Sequence, residues 1–160
     1  MGVKCSSSHQ SIVAYFNAVI RIVKEEMVNG LSYLGEQCVV KIKGRSQEES
    51  WFDRTGNLRT SIGYAVADHG RSVIESAFEQ VKNGTKGAQE GKALLNELTK
   101  LYSDTYALIV VAGMNYAERV EAIESKDVLA STELWAKNKL DTHIKRIVKK
   151  IEQRIKRLKL

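Results

Sequence analysis

The chain has 160 residues, 43% apolar and 28% charged, with no proline and a formal charge of +6. That is enough for one domain with a real core, and it argues against disorder as a description of the whole. No apolar run approaches the ~18 residues needed to span a bilayer, and the start of the chain lacks the apolar centre of a secretory signal, so the expectation is a cytosolic protein without a membrane.

The two cysteines, Cys5 in a polar tail and Cys38 at a helical core position, have neither metal nor redox spacing. MGVKCS at the start matches the short myristoylation template, with Cys5 as the attendant palmitate position, but the template matches often by chance. The charge is unevenly spread. From Thr132 to Leu160 ten Lys or Arg face three acids, a net of +7, which leaves −1 for all that precedes.

Residues 1–9 read as a disordered tail. From Ile12 the apolar positions Phe16, Val19, Ile20, Val23, Met27, Leu31, Leu34, Cys38 and Ile42 recur in steps of three and four, which predicts one long helix. The stripe keeps its phase across Asn29-Gly30, where a bend is expected. Lys43 to Asp53 has no period and reads as a flexible loop carrying two adjacent aromatics, Trp51 and Phe52.

Gly56 and Asn57 suit a turn, and after them Ile62, Tyr64 and Val66 point to one side of a strand. Asp68-His69-Gly70 turns the chain into a second strand, Ser72 to Phe78. The glycine-rich segment Lys82 to Gly91 reads as a second flexible loop before a short helix bearing Leu94, Leu95, Leu98, Leu101 and Tyr102.

Ala107 to Ala112, ALIVVA, is the most apolar run and predicts the central strand, buried on both faces. Asn115 to Ile123 reads as a short helix capped by Asn115, and Asp127 to Ala130 as a last short strand. A long basic helix then runs from Thr132 to the end. The expected fold is α+β: one domain whose small, mainly antiparallel sheet of about four strands is flanked by a long N-terminal helix and a long basic C-terminal helix.

No enzyme signature is present. His9, His69 and His143 fall in a tail, a turn and a helix, without partners at metal spacing, and no phosphate-binding glycine motif occurs. Asp68-His69 reads as turn chemistry and Glu118 with Glu121 as a solvated helix face. The expectation is a non-enzyme with no catalytic residue, cofactor or metal. The candidate partner contacts are Trp51, Phe52 and the basic residues Lys145, Arg146, Lys149, Lys150, Arg154 and Arg157.

Two segments carry a resemblance. RTGNLRTSIGYAV at Arg54 to Val66 and AGMNYAERVEAIESKDVLA at Ala112 to Ala130 are similar to the tail-component family of tailed phages typified by gene product ten of a lambdoid phage. Thr55, Gly56, Leu58, Arg59 and Ser61 match its first motif, and Tyr116, Ala117, Val120 and Glu121 its second. Arg119 stands where the family commonly has an aromatic, and the segment 82–102 lengthens the interval between the motifs.

The resemblance implies a virion structural protein at the head-tail junction, acting in tail completion or head-to-tail joining as part of an oligomeric ring. Its partners would be neighbouring connector and tail proteins, with phage DNA a further contact, and no cofactor or reaction is implied. The alternative is a small DNA-binding protein that uses the basic helix directly.

Overall fold

A computed structural model describes residues 8–46, 48, 50–122 and 126–158. Within them lie five helices and three strands: α1 (His9–Lys43), α2 (Asn57–Thr60), β1 (Ile62–Asp68), β2 (Arg71–Glu75), α3 (Thr85–Thr99), β3 (Tyr106–Ala112), α4 (Ala117–Ala122) and α5 (Ala130–Ile155). The fold is α+β, with the long helices α1 and α5 and a wholly antiparallel sheet in the order β2-β1-β3. Cys5, most of the expected tail, Ile123 and Lys159 lie outside the described residues.

α1 is a single 35-residue helix, about 50 Å long, that starts at a Ser8 cap whose hydroxyl accepts the Ser11 amide (3.1 Å). It runs unbroken through Gly30 because that glycine is a crossing point. Ile147 of α5 lies where a Gly30 side chain would be, and the His143 imidazole donates to the Gly30 carbonyl (2.9 Å) while stacking on Tyr33. α5 packs antiparallel along α1, from Arg45 and Thr132 at one end to Arg154 with Glu25 and Glu26 at the other. The first turns of α1 reach past this contact and leave Val13, Phe16 and Ile20 exposed.

The central strand is β1, not the apolar run at Ala107–Ala112. All seven β1 residues are buried, with β2 and β3 on its edges and helices on both faces. Ile62, Tyr64 and Val66 enter the core against α1, as their spacing predicts, whereas Ala65 and Ala67 face α3. Small residues on the α3 side let that helix come close. β3 is more apolar because it supplies both faces at a sheet edge: Leu108 and Val110 toward α1, Ile109 and Val111 toward α3.

Three further expectations are corrected. The segment Lys82–Gly91 is not a loop throughout, because α3 begins at Thr85 and its glycines serve packing. A Gly87 side chain would collide with the Asn57 carbonyl, and one on Gly91 would lie 2.7 Å from the Ser61 carbonyl oxygen. The second strand ends at Glu75, after a register shift at Val66/Ala67, so Ile74 packs toward α1 while Phe78, beyond the strand, packs on the α3 side against Gly63 and Gly91.

The sheet has three strands rather than four. Asp127–Ala130 leads into α5 instead: Val128 is fully buried, the Glu121 carboxylate accepts the Leu129 (3.0 Å) and Ala130 (2.5 Å) amides, and Asp127 accepts the Ser131 amide (3.1 Å). These acceptors satisfy the free donors of a helix start, which excludes a ladder there. The hairpin turn is as predicted, with His69 and Gly70 both at positive φ (50° and 76°) between β1 and β2.

Gly87→Ala separates packing from propensity. In an open helix the change stabilises by about 1 kcal/mol; here it is expected to destabilise by about 1–3 kcal/mol, because α3 must move off the Asn57 backbone. Urea unfolding reads the sign, and a raised midpoint would refute the close contact.

Candidate functional site

The two motif segments, some fifty residues apart in sequence, meet at one corner of the molecule. There a cleft of about 450 Å³ is lined by Thr55, Leu58, Tyr116 and Val120 from the motifs, together with Trp51, Phe52, Asp53, Arg54 and Lys126.

Asp53 organises the first segment. Its buried carboxylate accepts the Gly56 amide (2.9 Å) on one oxygen and the Arg59 amide (3.0 Å) on the other, which closes the chain over the start of α2. Gly56 sits at φ +82°, and a side chain there would strike the Val81 carbonyl, so glycine is required twice over. Leu58 is buried, and the Ser61 hydroxyl donates to the Leu58 carbonyl (2.8 Å). Arg59 lies over the Trp51 ring, 5.2 Å from its centroid, and donates to the Lys43 carbonyl at the end of α1. Each of these motif residues thus fixes the path from α1 into the central strand.

The second segment fixes the path into α5. Ala117 is buried in the core, Val120 packs on it, and Glu121 caps α5 as described. Arg45 completes this joint. Its guanidinium donates to the Asp127 (2.8 Å) and Val128 (3.3 Å) carbonyls and to the Ser131 (2.8 Å) and Thr132 hydroxyls, and it pairs with the Asp127 carboxylate at 2.9 Å. Asp127 is consequently held below the usual carboxylate range: burial pushes it up, but the Ser131 and Arg45 contacts outweigh that. Burial and the nearby Asp53 charge push the Tyr116 hydroxyl up, with the Thr55 hydroxyl opposing.

The two loop aromatics have opposite fates. Trp51 is buried and its indole nitrogen has no hydrogen-bond partner among the described residues, whereas Phe52 is 63% exposed, with the Lys82 ammonium 5.8 Å from its ring centroid. The basic residues also divide. Lys145, Arg146, Lys149, Lys150 and Arg157 are exposed and form no ion pair among the described residues. Arg154 instead pairs with Glu25 (2.8 Å) and Glu26 (2.9 Å), so it joins α5 to α1 and is not a free contact.

Sequence reasoning missed Asp53 and Arg45. Asp three residues before a glycine is a signal for a side-chain-capped turn; nothing local marks Arg45, whose partners lie about eighty residues away.

Among the described residues, no group of three His, Cys, Asp or Glu is placed to hold a metal ion. The Asp68-His69 pair does hydrogen-bond (2.6 Å), but Asp68 also pairs with Lys24 at 2.5 Å, and Lys24 and His69 together hold its carboxyl low. The thiol of Cys38 is buried and pushed up by that burial, which makes it a poor nucleophile. Comparison with known protein families, with curated proteins and with solved structures gives no match.

The depressed carboxyls set an acid dependence. Because the folded Asp127 ionises below its unfolded value near 4, its contribution is complete above about pH 5 and is lost as pH falls through the folded value. Asp127→Asn is therefore expected to lower the urea midpoint at pH 7 and to shrink its decline between pH 5 and 3. An acid decline identical to wild type would remove Asp127 from the account.

Proposed function

We propose that the chain is a phage or prophage virion protein of the head-tail junction, acting in tail completion or head-to-tail joining as a subunit of a ring. One observation carries the reading: Thr55 and Leu58 of the first family-like motif and Tyr116 and Val120 of the second, distant in sequence, line one cleft, and other residues of both motifs hold the joints through which the chain enters the central strand and α5. A pair of short motifs with such linked structural duties is more specific than either motif alone.

Two surface features favour assembly. The exposed Val13, Phe16 and Ile20 on α1 offer apolar area for a neighbouring subunit, and the unpaired cations of α5 suit an acidic partner ring or DNA in the channel. The function read this way is structural, and it requires neither a cofactor nor a reaction.

The deciding experiment is negative-stain electron microscopy of an induced lysate with the gene disrupted, beside a complemented control. DNA-filled heads and separate tails, joined again on complementation, are the expected result; normal infectious particles would overturn the proposal.

Direct DNA binding is the second reading, favoured by the unpaired cations on α5. It predicts duplex binding that weakens steeply between about 50 and 200 mM salt, with the log-log slope falling by about 3–4 when Lys145, Arg146, Lys149 and Lys150 are all changed to Gln. Binding indifferent to salt or to those changes would dismiss it.

A further inference from the structure

The helix layer under the sheet is wider than the sheet. α1 lies beneath β1 and β3, and α5 packs beside α1 across a groove from β3. Two helices side by side span about 20 Å, which underlies roughly four strands at ~4.8 Å spacing. Three strands are present, and the vacant place is beside β3.

A groove of about 550 Å³ runs there, lined by Leu108 and Val110 of β3, Leu34 of α1, Leu140 and Ile144 of α5, and Tyr102 after α3. Its charged lining residues, Glu133 and Lys137, pair with each other at 2.6 Å, so its interior is neutral and apolar.

The backbone at the groove wall is open. The bonds from His69 to Thr105 and from Gly113 to Ser61 put the β1 ladder on the odd-numbered residues of this segment. The amides and carbonyls of Tyr106, Leu108, Val110 and Ala112 therefore point outward. The Tyr106 carbonyl receives the Thr105 hydroxyl (3.3 Å), and no other of these groups has a partner among the described residues.

We propose that this place receives an extended arm of a partner protein as a fourth strand. The arm is extended and carries apolar side chains at alternate positions, because it pairs with the open β3 edge and lies against the apolar faces of β3 and α5. The sheet edge of a second copy fits poorly, since each copy carries α1 beneath its sheet and that helix would be driven into α5. A single strand without its own helix layer has no such conflict. The inference rests on the groove and the edge alone, and it stands or falls independently of the head-tail reading.

The test is selection of a random twelve-residue peptide library against the purified full chain, then fluorescence anisotropy of the selected peptides on wild type, Val110→Pro and Leu140→Glu. Proline at 110 removes an outward amide from the edge together with the Val110 side chain that packs on the core, whereas Leu140 is 40% exposed, so that variant is expected to fold even if the first does not.

The expected peptides alternate apolar residues. Each variant weakens them at least tenfold, and binding slows amide exchange at Leu108 and Val110. Failure to enrich any sequence, peptides that bind Leu140→Glu as tightly as wild type, or wild-type self-association that Leu140→Glu abolishes would each overturn the proposal, the last by giving the groove to a second copy.

Discussion

A seven-residue strand without an exposed residue imposes the rest of this fold. To bury β1 completely, the chain must cover two faces and pair two edges, and it does so with α1, α3, β2 and β3. The α1 face is deep, closed by Tyr64, whose hydroxyl donates to Glu36 (2.9 Å) and bonds Ser32 (2.8 Å) at the core margin. The α3 face is shallow, with alanines on the strand and glycines on the helix. Close approach there substitutes for bulk, and it is the reason a glycine-rich segment folds as a helix.

The same constraint explains the motif residues. A central strand needs a fixed point of entrance, and Asp53, Gly56, Leu58 and Arg59 supply it by tying the end of α1 to α2. α5 needs a fixed start beside α1, and Glu121, Asp127 and Arg45 supply that. The Arg45 side chain, only 10% exposed and held by five acceptors, is favourable there only while they are in place, since a charge largely removed from water and left unpaired is destabilising. Both joints border the cleft or adjoin it, so a surface there inherits their rigidity.

The molecule also leaves definite things undone. Among the described residues, the start of α1 exposes apolar side chains, α5 carries cations without ion-pair partners, and β3 keeps an open edge beside an apolar groove. Isolated monomers usually cover or charge such an edge.

The sequence by itself determined the local elements whose signal is periodic: the two long helices, the β1–β2 hairpin with its His69-Gly70 turn, and the α1-facing side of β1. Side-chain spacing dictates those whatever surrounds them. Only the tertiary structure decided which strand is central, since the most apolar run went to an edge where two cores needed it. It alone turned the glycines of α3 from loop signals into packing surfaces and Val128 from a strand residue into a core plug before a capped helix. Composition records how apolar a segment is; what approaches it, and how closely, is settled by contacts between residues far apart in the chain.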